Sequence, residues 1–138
     1  MVNHQLGKIE RRTVLAGVAA GGVALPLLAA CGGSTSGKPT AKAGEVLTKT
    51  SEVPVGGGTI LASANVVVTQ PTAGTFKCFS AVCTHQGCQV GKVSNGMIVC
   101  PCHDSEFSIV DGSVEGGPAP KPLPEEKITV ANGEITLA

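Results

Sequence analysis

Four side chains in two short boxes have the types and spacing of metal ligands. They are Cys83 and His85 in Cys83-Thr-His-Gln-Gly-Cys88, and Cys100 and His103 in Cys100-Pro-Cys-His-Asp-Ser105. Each box sets a thiol close to an imidazole, and each adds one further cysteine, Cys88 or Cys102. Thiolate sulfur and neutral imidazole nitrogen both bind soft and borderline metals, and a set of two Cys and two His suits tetrahedral zinc. The chain has 138 residues and six cysteines, so each needs an account. Cys78, between Lys77 and Phe79 in a strand-like run, reads as a small buried hydrophobe. No nucleophile with its base, no triad and no phosphate loop accompanies the boxes, so the chain is expected to lack a catalytic site of its own.

The two boxes resemble the two cluster-binding loops of a Rieske iron–sulfur domain. The later Gly116-Gly117-Pro118-Ala119-Pro120 resembles the proline loop that covers the cluster in that family, and the similarity extends over residues 45–138. The resemblance implies one 2Fe-2S cluster, with Cys83 and Cys100 on one iron and His85 and His103 on the other. It also implies a disulfide between Cys88 and Cys102. Closing a loop of roughly 15 residues in this way is worth about 3 kcal/mol in the chain-entropy account. Neutral rings in place of two thiolates make the site less negative, which raises the potential to about −150 to +300 mV, against about −400 mV for plant-type centres. Ser105 matches the family serine that bonds a bridging sulfide. Phe107 stands where high-potential members have a tyrosine, and it has no hydroxyl to give. With Asp104 and Glu106 nearby, a potential in the middle or low part of the range is expected. Asp104 replaces a family glycine and is expected to adopt positive φ.

These loops need strands to position them. Val66–Val68 and Thr75–Phe79 flank Gln-Pro-Thr-Ala-Gly and read as a hairpin. Asn95-Gly96 between Lys92-Val93 and Met97–Val99 is a two-residue hairpin signal, and Asp111-Gly112 follows Phe107–Ile109. Ile128–Val130 and Ile135–Leu137 alternate around Asn132-Gly133, each with two apolar side chains on one face. With 19 Gly, 9 Pro and three aromatic residues, the body should be built of short strands and turns. The expected fold is all-β: an antiparallel β-sandwich with a small cluster-binding subdomain made of two loops.

The N-terminus differs in character. Lys8, Arg11 and Arg12 precede an uncharged run from Thr13 to Ala30, as in a targeting segment. Arg11-Arg12 resembles the twin-arginine export signal, although Glu10 and Val14 depart from its fuller pattern. Leu28-Ala29-Ala30-Cys31 resembles a bacterial lipobox, which implies a lipid on Cys31 and an anchor at the membrane. The other reading of this run is a retained membrane helix. Eighteen residues reach about 27 Å, barely a bilayer core. The expected organisation is a signal peptide over 1–30, a flexible linker over 31–44 and the Rieske domain over 45–138. A free Gly/Ser/Thr-rich chain of the linker's length spans about 20 Å.

Net charge is zero, but from Gly44 onward five lysines face nine carboxylates. Nothing here forms a basic footprint for nucleic acid. A Rieske oxygenase would need another iron on two histidines and a carboxylate, yet the chain holds only His4, His85 and His103. The chain therefore reads as an electron carrier on the outer face of the membrane. It would serve redox partner proteins, with a quinol and a cytochrome as the respiratory case. The alternative is a small electron-transfer subunit of an exported oxidase. A structural zinc module is the remote reading; its protein would be colourless rather than red-brown.

Overall fold

The computed structural model describes residues 37–138. The expected signal peptide, the lipobox and Cys31 lie outside the described residues. The body has ten strands: β1 Val46–Lys49, β2 Gly57–Leu61, β3 Val66–Thr72, β4 Thr75–Ser80, β5 Lys92–Ser94, β6 Met97–Val99, β7 Glu106–Ser108, β8 Val114–Gly116, β9 Ile128–Ala131 and β10 Glu134–Leu137. Among the described residues one 3₁₀ turn, Thr50–Glu52, is the only helical element. The strands form three antiparallel sheets, ordered β1-β10-β9, β2-β3-β4 and β5-β6-β7-β8. The fold is all-β and antiparallel, as expected; the first cluster loop crosses from β4 of the second sheet to β5 of the third, and the second joins β6 to β7 within the third.

Turn chemistry fixes the hairpins. Asn95 and Asn132 adopt φ of 51° and 52°, each followed by a glycine at 76°, the pair of positive angles a two-residue turn requires. They join β5 to β6 and β9 to β10 in the registers expected. The hairpin of β3 and β4 turns at Ala73-Gly74, so Gln70-Pro71-Thr72 extends the strand instead of turning it.

β3 is apolar at three successive positions because both its faces are covered. Val67 packs into a core with Phe79, Ile98, Phe107 and Leu123, whereas Val66 and Val68 pack into a second core with Cys78 and Ile135. A strand buried on both sides has no reason to alternate. The Thr69 hydroxyl donates across the body to the carbonyl of Ile109 at 2.8 Å, which ties β3 to the end of β7. At the C-terminus Ile135 and Leu137 are buried as expected, but Val130 is 45% exposed. It lies on β9, an edge strand of its sheet.

The end of the expected linker is held by the domain. The Thr40 amide donates to Ala64 O, the Gly44 amide to Leu137 O, and Asn65 Nδ2 to Lys38 O. Ser80 Oγ donates to Gly37 O at 2.7 Å. Backbone polar groups took partners there, although the side chains of this stretch have little to bury.

Candidate metal centre

The first loop leaves β4 at Ser80 and reaches β5 at Lys92. The Cys83 amide donates to Cys88 O at 2.7 Å, and the Gly87 amide to Cys83 O at 3.0 Å. Val82 bridges Gln89, and the Val90 amide returns to Ala81 O, so the base of the loop is a closed ladder. Gly87 takes φ of 80° at the bend. The second loop joins β6 to β7, with the Cys100 amide donating to Ser105 O at 2.9 Å. Asp104 adopts φ of 56°, as its replacement of glycine led us to expect.

A disulfide joins Cys88 to Cys102 with Cα atoms 6.5 Å apart, so the two loops are cross-linked tip to tip. Pro101 of the second loop packs on Gly91 at the foot of the first, so close that a Cβ there would sit 3.1 Å from the proline ring. This contact gave no signal in the sequence, because it joins two loops through a turn and a glycine.

The third loop covers both others. The Ala119 amide donates to Ser105 Oγ at 3.2 Å, and the Thr84 hydroxyl donates to Lys121 O at 2.6 Å. Gly117, at φ of 84°, lies so tightly on the second loop that a Cβ would fall 2.5 Å from Ser105 Cα. Pro118, singled out by resemblance, is exposed, and its neighbour Ala119 makes the buried contact. Thr84 and Gly117 were not singled out from sequence. The second glycine of Gly116-Gly117 was the available signal, since a pair of glycines before proline marks a tight turn.

Cys83 and Cys100 are free thiols, 2% and 1% exposed. Burial pushes the Cys100 thiol above its ordinary value. The backbone amides of Cys102 and His103 pull the other way by hydrogen bonding to its sulfur, and neighbouring Cys83 adds to the rise. A thiolate at Cys100 therefore has donors ready but needs a nearby cation to offset desolvation. The rings of His85 and His103 stand edge to face with centroids 4.7 Å apart, His85 half-buried and His103 exposed. His85 Nδ1 is buried and has no hydrogen-bond partner. An unpartnered buried nitrogen costs roughly 1–3 kcal/mol, a cost that a bound metal would remove.

The sulfurs of Cys88, Cys100 and Cys102 also lie within 4.8 Å of one another. That trio cannot bind metal as it stands, because two of its members are spent in the disulfide. Two buried thiols, two adjacent imidazoles and an orphaned imidazole nitrogen fit a 2Fe-2S group with mixed ligands. Ser105 is fully buried and Phe107 is fully buried between strand partners Ile98 and Val114.

Residues 43–127 match the family described as Rieske [2Fe-2S] domain. The cytochrome b6-f complex iron-sulfur subunit of Chlorobaculum tepidum is 36% identical over 90 residues, 64% of this chain and 49% of that protein. A protein of Haloferax mediterranei named as a respiratory nitrate reductase Rieske subunit is 40% identical over 78 residues, 56% of this chain and 36% of its own length. The chain thus spans about half, or less, of these relatives. The plasma membrane Rieske protein of Synechocystis PCC 6803 has a similar fold, with a TM-score of 0.54 and 30% identity, over 67% of this chain and 97% of that one.

Proposed function

Because the chain belongs to the Rieske [2Fe-2S] domain family, we propose that it is a one-electron carrier anchored at the outer face of a cell membrane, with its 2Fe-2S cluster on Cys83, His85, Cys100 and His103. The observations that carry the ligand set are the buried unbonded thiols of Cys83 and Cys100 on the two loops and the rings of His85 and His103, 4.7 Å apart between centroids, one of whose nitrogens is buried without a partner. When bound, the cluster accepts and releases one electron at a potential that mixed Cys/His ligation raises.

The chain's own residues set the terms of that exchange. The amides of Cys102 and His103 hydrogen-bond Cys100 sulfur and would favour its thiolate once a cluster is bound, against the burial that disfavours it. Ser105 Oγ accepts from Ala119, which leaves its own proton to give to an acceptor inside the loops. The third loop and the disulfide keep the cysteine side dry, whereas His103 is exposed and offers the route to a partner.

Location rests on three features. Arg11-Arg12 and the Leu28–Cys31 box support export by the twin-arginine route and lipidation of Cys31, with 1–30 removed and 31–44 joining the lipid to the 45–138 domain, its end from Gly37 held against that domain. A disulfide implies an oxidising compartment. A cluster assembled in the cytoplasm requires cargo that crosses folded. The named relatives are subunits of cytochrome b6-f and nitrate reductase complexes. The partner proposed here is likewise a respiratory complex, with a quinol as donor and a cytochrome as acceptor.

The test is reduction of the purified full chain followed by electron paramagnetic resonance, iron and acid-labile sulfide. A rhombic mixed-ligand signal with two irons is expected, and both His85→Ala and His103→Ala should abolish it. Variants that kept the wild-type visible spectrum would refute the ligand set. Flotation of native protein with membranes, lost in Cys31→Ser, tests the anchor separately.

A further inference from the structure

Cys100 is placed for a second reaction besides holding iron. Its sulfur lies within 4.8 Å of both sulfurs of the Cys88–Cys102 disulfide. Reacting atoms held about 3–3.5 Å apart are in attack position, so little more than 1 Å of movement separates this thiol from the bond. Among the described residues no other free thiol shares that position: Cys83 lies outside the trio, and Cys78 is buried in the other core.

We propose that, in the iron-free oxidised protein, Cys100 attacks Cys88 and exchanges the Cys88–Cys102 disulfide for Cys88–Cys100. The Cys100 sulfur bonds Cys88 Sγ, and the thiol proton is handed on to the sulfur that departs. The old sulfur–sulfur bond breaks with its electron pair on Cys102, which takes up that proton. No outside oxidant or reductant is consumed. Attack at Cys88 is favoured over Cys102 for two reasons. Cys100 and Cys102 are separated only by Pro101, whose fixed φ resists closing so small a ring. Cys102 is an exposed residue, so its sulfur leaves into water, where its charge is best solvated.

The consequence is an order of assembly. Exchange removes Cys100 from the donor set, so a chain that forms its disulfide before taking up iron disarms its own site. A chain that is loaded first keeps Cys100 occupied and its disulfide intact. This last step rests on Cys100 being an iron ligand, as proposed above.

The experiment compares native full-length protein with the same protein stripped of iron by a chelator under anaerobic conditions. Both are alkylated with iodoacetamide and mapped by peptide mass spectrometry. Stripping should bring loss of the Cys88–Cys102 peptide, gain of Cys88–Cys100 and new alkylation at Cys102. In Cys100→Ser, Cys102 should stay unlabelled and the original disulfide should persist. The proposal is overturned if stripped wild type keeps Cys88–Cys102 with Cys100 alkylated. It is equally overturned if Cys102 is labelled as fully in Cys100→Ser, or if disulfides to Cys78 or Cys83 form in comparable yield. Iron content of purified Cys100→Ser judges the ligand reading independently: a full complement of iron would sink that reading and leave the exchange to the linkage map.

Discussion

Burial pushes the Cys78 thiol from 9.0 to about 12, with the charges of Glu126 and Glu125 adding to the rise. The fold thus holds Cys78 neutral, while an unfolded chain can ionise it above its ordinary value. Its contribution to stability is complete below pH 9.0 and is lost as pH climbs toward about 12. Urea midpoints should fall across that window, and Cys78→Ala should flatten the fall. At neutral pH, iodoacetamide should label Cys78 only after denaturation, because a buried neutral thiol is a poor nucleophile. Phe107 poses a different residue-scale question. It fills the core between Ile98 and Val114 and has no hydroxyl to offer sulfur. Phe107→Tyr should raise the midpoint potential by about 60 mV if its hydroxyl reaches a ligand sulfur, the equivalent of a bond worth about 1.4 kcal/mol. A redox titration of the pair reads this directly, and an unchanged potential would leave Phe107 a packing residue alone.

At the scale of elements, the covering loop is held by a glycine. Gly117→Ala would set a Cβ 2.5 Å from Ser105 Cα and 2.7 Å from Asp104 O, backbone atoms that cannot swing aside. The third loop should lift and lose the Ala119 to Ser105 hydrogen bond. The expected cost is roughly 1–3 kcal/mol from backbone strain. Chelator should bleach the variant faster than wild type. Gly116→Ala is the matched control, because its nearest neighbour is Glu106 Oε2 at 3.1 Å, the far end of a flexible side chain. The hairpin turns were legible in the sequence for a related reason. Asn95-Gly96 and Asn132-Gly133 encode positive φ locally, and no distant residue is needed to explain them.

Across the whole molecule, two cores share β3 and one disulfide staples the cluster loops. The surface ion pair Lys77–Glu125, 3.1 Å long between half-exposed side chains, adds little. Replacing Cys88 and Cys102 together by serine opens a cross-link spanning 14 residues, which should cost about 3 kcal/mol in the chain-entropy account. Denaturant midpoints of the oxidised double variant and wild type check this. The same comparison with wild type under reductant separates the bond from the side chains, since reduction should mimic the substitution.

The sequence alone determined what depends on residue type and short spacing. It supplied the thiol and imidazole boxes, the turns that need Asn-Gly, the positive φ of Asp104 and the all-β character. Tertiary structure decided what depends on residues far apart in the chain. Val66–Val68 is one apolar run, yet its neighbours fall in two cores because sheets close over both faces of β3. Gly37 to Gly44 reads as free linker, but its backbone found partners on Ala64, Ser80 and Leu137. The clamp of Gly117 on Ser105, and the place of Cys100 beside a disulfide, likewise came only from the folded chain. Local conformational preference is written residue by residue; proximity between loops is fixed only when the whole chain packs.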